Sequence, residues 1–167
     1  MKIIRFFFLF VFIGCSSSKV FTDYDISADF TQFKTFDFYE DNGENLNELD
    51  VKRIIANIQE NLNTVGLQQN EAPDFFIFFD TKTVENQNNN LIRIGLGNGG
   101  TGISGGIPIG SKKLNEKLTI KFIEAKNNDL FWEGSLDAVI KERRTPEKRE
   151  FHLKEVIHKI LKQFPSK

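Results

Sequence analysis

Pro73 and Asp74 are followed by five consecutive apolar residues, Phe75-Phe76-Ile77-Phe78-Phe79. Aromatic and β-branched residues suit the pleated backbone of a strand. A short run with no polar alternation predicts a strand covered on both faces, and so a central one. Alternation resumes over Asp80–Val84 and extends it. A central strand needs partners, and four other segments supply them. Val20–Asp25 and Thr35–Tyr39 read as strands, the second with the alternation Phe36, Phe38. Lys117–Ala125 places Leu118, Ile120 and Phe122 on one face. Leu130–Ile140 does the same with Trp132, Gly134, Leu136, Ala138 and Ile140. Between these two, Lys126-Asn127-Asn128-Asp129 is turn chemistry, so they form a hairpin.

Two segments change period. Val51, Ile54, Ile55, Ile58, Leu62 and Val65 form one apolar helical stripe. Asn47 or Asp50 stands ready to cap it, and Gly66 sits where a helix ends. Leu153, Val156, Ile157, Ile160, Leu161 and Phe164 form the second stripe, opened by Thr145-Pro146-Glu147 and stopped by Pro165. The order β-β-α-β-(β)-β-β-α predicts one α+β domain over residues 20–165: a mainly antiparallel sheet with two amphipathic helices packed on one face. Its core is expected to hold Trp132, Ile54, Ile58, Leu62, Ile157 and Ile160.

Residues 1–14 do not belong to that core. Lys2 and Arg5 precede an unbroken apolar run, Phe6–Ile13. It is far short of the roughly 20 residues that span a bilayer, but it suits the central region of a secretory signal. Five of the 18 Phe lie there and say nothing about the fold. The run ends in Gly14-Cys15, then Ser16-Ser17-Ser18. A small residue before a cysteine resembles the bacterial lipobox, in which the thiol is acylated and the signal is cut before it. Cys15 is the chain's single cysteine, which fits that role, since a spare thiol is a liability in an oxidising compartment. Residues 15–19 form a short tether. The Ser after the Cys resembles an outer-membrane sorting signal, so the expected location is the outer membrane, facing the periplasm. Cleavage removes Lys2 and Arg5, so 22 basic residues become 20 against 23 acidic ones, a charge of −3. Membrane contact should then come from lipid rather than from a general attraction to anionic headgroups.

The same near-neutral balance lacks the basic footprint of a nucleic-acid binder. One Cys and two His leave little material for a metal site, and no cofactor is expected. His152 and His158 are six apart, about 240° around a helix, and cannot share an ion. Residues 95–110 hold eight of the 12 glycines and contain two matches to known motifs. Gly95-x-Gly97-x-x-Gly100 matches a dinucleotide fingerprint, and Gly102-Ile103-Ser104-Gly105-Gly106 a nucleophile elbow, with Asp129 or Asp137 and His152 or His158 following in order. Both devices need a helix after the loop. Pro108 and the remaining glycines forbid one. The acidic stretch Glu40, Asp41, Glu44, Glu48, Asp50 lacks the alternating ligands of a calcium loop. Asp25, Asp29 and Asp37 could serve as acid and base, but nothing in their spacing demands it. What the glycine-rich stretch does offer is uncharged aliphatic surface: Leu96, Ile103, Ile107 and Ile109 are candidate contacts for a partner or the bilayer.

The chain resembles the lipoprotein family called domain of unknown function 4136 over about residues 15–165. The resemblance is carried by Asp23-Tyr24-Asp25 with Ala28-Asp29-Phe30 and Phe33-Lys34-Thr35-Phe36, and by Ala72-Pro73-Asp74 opening the hydrophobic strand. Past the glycine-rich interruption it continues through Leu118-Thr119-Ile120, Leu130-Phe131-Trp132-Glu133-Gly134, and Pro146-Glu147-Lys148-Arg149 running to Ile160-Leu161 and Phe164-Pro165. The resemblance implies an envelope lipoprotein with an α+β domain and implies no catalytic residues. The expected function is a lipid-anchored, non-catalytic binding or scaffold module. It would meet the membrane through lipid on Cys15 and an envelope protein through its surface, in an oligomeric state the sequence leaves open. The competing reading is a carrier of a small apolar ligand or lipid held between sheet and helices.

Overall fold

The structure is a computed structural model that describes residues 19–85, 91–93, 106–108, 113–141 and 144–165. The signal segment, Cys15, Leu96, Ile103 and Ile109 lie outside the described residues. The elements in order are β1 (Val20–Tyr24), β2 (Thr35–Phe38), α1 (Glu48–Thr64), β3 (Gln68–Gln69), β4 (Phe75–Glu85), β5 (Leu91–Arg93), β6 (Gly106–Pro108), β7 (Lys113–Glu124), β8 (Leu130–Lys141) and α2 (Pro146–Leu161), with one 3-10 turn at Phe30–Gln32. Ile107 lies in β6, paired with Ile92 of β5 in a separate two-stranded ladder.

Six strands form one sheet in the order β1-β8-β7-β4-β2-β3. The expectation of a mainly antiparallel sheet is corrected: the sheet is mixed. β1–β8, β8–β7 and β7–β4 are antiparallel, while β2–β4 and β2–β3 are parallel. The reason is the helix between β2 and β3. An antiparallel neighbour follows from a tight turn, whereas a helical crossover returns the chain to enter the sheet in its original direction. β4 then starts beside β2, and one side chain ties the two starts together. The backbone N–H groups of Lys34 and Thr35 donate to Asp74 Oδ2 at 2.8 and 2.9 Å. Asp74 N donates to Thr35 Oγ1 at 3.0 Å.

β4 is central, but its two faces differ. Phe75, Ile77 and Phe79 are fully buried. Phe76 and Phe78 are only half-buried, with the Tyr39 ring 5.0 and 6.5 Å from theirs. The run of five apolar residues therefore does not mean cover on both sides. The buried face is completed by Phe36, Leu118, Ile120, Phe122, Trp132 and Leu136, and these share one hydrophobic cluster with Ile54, Ile58 and Leu62 of α1 and Leu153, Ile157 and Ile160 of α2. Phe33 and Phe131 join that cluster, stacked at 4.2 Å. Phe164 meets the Trp132 ring edge-on at 5.5 Å.

The helix ends are chemically specified. Asn47 is the N-cap of α1, its side chain accepting from Asp50 N at 3.0 Å. At the other end Gly66 N donates to Asn63 O and Leu67 N to Leu62 O, the paired bonds of a Schellman motif. Gly66 has φ +89°, the left-handed backbone that this motif places at C′. Thr145 caps α2, with Pro146 in its first turn.

Trp132 explains a second glycine. A Cβ at Gly134 would lie 2.6 Å from Trp132 Cη2 and 2.7 Å from Ile160 Cγ2. The indole therefore fills the space that a side chain two residues along the strand would need. Gly134→Ala is expected to destabilise by about 1–3 kcal/mol through overpacking, and Trp132→Ala by about 3–5 kcal/mol through the cavity it leaves. Urea unfolding of the two variants beside the parent checks both.

Candidate functional site

Three apolar periods end in a charged residue at the same end of the structure. On α1 the buried series Ile54, Ile58, Leu62 is preceded by buried Asp50; on α2 Leu153, Ile157, Ile160 by buried Arg149; on β7 Leu118, Ile120, Phe122 by buried Glu116. On β4, Thr81 follows Phe79 in the same way. The three charges meet. Arg149 Nε donates to Asp50 Oδ2 at 2.8 Å and Arg149 Nη1 to Glu116 Oε2 at 2.7 Å. Arg53 Nη1 donates to the other oxygen of Asp50 at 2.9 Å. His152 Nε2 lies 3.4 Å from Glu116 Oε2. One guanidinium thus joins both helices to the sheet.

Burial alone would push the Glu116 carboxyl up. The hydrogen bond from Arg149 and the close approach of His152, with the charges of Arg149 and Arg144, outweigh it and hold the group at about 2. Burial likewise opposes the charge on Arg149, but its two carboxylates win and raise it above the ordinary guanidinium value. Arg144 is the odd member. Burial and the nearby Arg149 lower it, and its Nη1 is enclosed without a hydrogen-bond partner among the described residues. Both neighbouring carboxylates are already engaged.

The other residues singled out from the sequence do not assemble into a site. Asp25 accepts from the hydroxyl and backbone N–H of Ser27, Asp29 caps the 3-10 turn through Thr31 N, and Asp37 accepts from Phe38 N and Gln69 Nε2. Asp129 lies in the β7–β8 turn, and Asp137 is exposed on β8. His158 Nδ1 is 2.9 Å from Asn61 Oδ1, across the helix pair. Ser104 lies outside the described residues, as do Leu96, Ile103 and Ile109. No group of three or more His, Cys, Asp or Glu among the described residues could hold a metal ion. Trp132, Ile54, Ile58, Leu62, Ile157 and Ile160 are all buried.

An open groove of about 520 Å³ lies at the opposite end. Phe30, Phe33 and Lys34 line it from the loop before β2, Gly66 and Leu67 from the end of α1, and Phe164 from beyond α2. It sits past the ends of the helices rather than between sheet and helices. Among the described residues no helix is long and apolar enough to cross a membrane.

A six-stranded mixed sheet and two helices, with a charged clamp at one end, define an α+β fold. The family model Domain of unknown function (DUF4136) matches residues 20–166, and the chain belongs to that family. No curated protein matches its sequence. Among solved structures it is similar to a PDZ domain protein from Parabacteroides distasonis, with 19% identity and a TM-score of 0.60, over 90% of this chain but 36% of that one. It is also similar to the PelC dodecamer from Paraburkholderia phytofirmans, with 9% identity and a TM-score of 0.51, over 87% of this chain and 96% of that one. At these identities the likeness is one of fold.

Removing one partner of a buried ion cluster strands the others, so Arg149→Leu is expected to destabilise by about 3–5 kcal/mol in denaturant titrations. The pH dependence has a definite sign. Glu116 lies at about 2 when folded and at an ordinary 4.5 otherwise. Its contribution is therefore complete above pH 4.5 and is lost progressively as pH falls towards 2. Thermal melts of Glu116→Gln should be lower than the parent at neutral pH and flatter through that acid window.

Proposed function

We propose that this chain is an envelope lipoprotein, held in the outer membrane by acyl chains on Cys15 and facing the periplasm. Residues 20–165 act as one non-catalytic binding or scaffold domain, with both helices on one face of its sheet. The observation that carries this reading is the position of the single cysteine. It follows an apolar signal-like run and stands five residues before β1. A single acyl chain binds a bilayer only reversibly, whereas two or more hold it firmly. Membership of the family adds a domain with no assigned chemistry, and Asp25, Asp29 and Asp37 are engaged in a local turn, a cap and a contact between strands. A protein of this kind works by holding a position and presenting a surface, and Ile107 with the neighbouring aliphatics is the surface we assign to an envelope protein.

A second reading keeps one observation of its own. The groove beside Phe30, Phe33, Leu67 and Phe164 has the size and partly apolar lining of a small-ligand site. A carrier role would use it, which moves the expected ligand from between the layers to their end. Lipid retained by the purified protein in native mass spectra would favour the carrier.

Cys15→Ser is expected to move the protein from the membrane pellet to the soluble periplasmic fraction. Retention in the pellet would overturn the anchor. A photo-crosslinker at Ile107 in intact cells is expected to capture one envelope protein, and capture of lipid alone would move the reading to the carrier.

A further inference from the structure

We propose that the domain stands on the bilayer by the end at which β8 finishes and both helices begin. This rests on the acylation of Cys15 proposed above.

The direction comes from register. β1 is the edge strand of the sheet and runs antiparallel to β8, with Val20 opposite Leu136 and Tyr24 opposite Trp132. The chain upstream of Val20 therefore enters from the side on which β8 continues, through Asp137 to Lys141. Cys15 is five residues before Val20 and Lys141 five after Leu136. At roughly 3.4 Å per extended residue each span is about 17 Å. A tether of that length is long enough to bring a lipid on Cys15 to the level of Lys141. In the other direction Leu130 is six residues from Leu136, about 20 Å away, with the 126–129 turn beyond it, and the tether cannot place that end on the membrane.

The near end is also the polar one. Buried Asp50, Glu116, Arg149 and Thr81 close the core there, whereas Phe33, Phe131 and Phe164 close it at the far end. Both helices start there. The contacts Arg149–Asp50, Lys154–Glu60 and His158–Asn61 advance together along the two chains, so α1 and α2 run in the same direction. Within the cluster the cations outnumber their acceptors. Asp50 takes Arg53 and Arg149, and Glu116 takes Arg149 and approaches His152. Half-buried Arg144 adds a further charge at this end, and exposed Lys141 and Lys148 flank it in sequence. A bilayer brought to this end by Cys15 therefore meets the charged end of the fold and not its aromatic end.

The test uses the full acylated chain in vesicles of phosphatidylethanolamine and phosphatidylglycerol that carry a headgroup nitroxide. With Cys15 acylated, an introduced cysteine is the only free thiol, so a fluorophore can be set at Lys148→Cys, at Lys126→Cys in the far turn, or at Asp23→Cys on the sheet edge. Quenching several-fold stronger at 148 than at 126 or 23 is the expected result. Stronger quenching at 126 or 23, or equal quenching at all three, overturns the orientation. Protein that fails to sediment with the vesicles overturns the anchored reading itself, a result distinct from bound protein quenched at the wrong end.

Discussion

One guanidinium fixes how the layers sit on each other. Arg149 reaches from α2 to Asp50 on α1 and Glu116 on β7, with 2.8 and 2.7 Å contacts. Apolar stripes alone specify which faces meet but tolerate sliding, because a leucine packs nearly as well one notch along. A bidentate charge between two carboxylates has no such freedom, since a slip of one turn would strand buried ions at a cost of several kcal/mol. The parallel course of α1 and α2 follows from this clamp at their starts. The remaining cross-helix pairs are peripheral: Lys154–Glu60 lies on the exposed surface, where such pairs contribute little.

Once the starts are clamped, the rest of the core fills from the aromatic end. Phe75, Phe122, Phe131, Trp132 and Phe164 form successive ring contacts at 4.6–6.1 Å. Their preferred edge and offset geometries make the packing directional. Gly134 is the concession: with the indole laid across it, the strand has room for no side chain there. The molecule is therefore polar where its helices begin and aromatic where they end.

Much of this was legible in residues. The two stripes, a cap at Asn47 or Asp50, Gly66 as terminus, the β7–β8 turn and the burial of Trp132 each follow from local chemistry, which is why a single sequence exposes them. The direction of β2 was less obvious, although a strand followed by a helix and another strand already implies a parallel return. β3 is two residues long and exposed, Gln68–Gln69, so it leaves no period to detect. The charged clamp had a signal of another kind. Asp50, Arg149 and Glu116 each occupy the next position of an apolar period, and each could be taken singly for the solvated start of an element. Only their coincidence at one end, which requires the topology, makes them a site. Phe76 and Phe78 mislead for the converse reason: apolar residues on a strand's second face do not require a second layer, since folded surfaces carry much apolar area.

The proposed anchor would give these features a functional direction. An acyl group on Cys15, five residues before an edge strand, would leave almost no linker, and the domain would then act close to the bilayer. In the proposed orientation the surfaces would divide by distance from the membrane: the charged end at headgroup height, the β1 edge and the half-apolar second face of β4 beside it, and the groove at the helix ends pointing away. A partner in the membrane and a ligand in the periplasm would therefore meet different ends of the same small fold. The packed core between those ends would keep their separation constant, which is what a scaffold fixed to a surface requires.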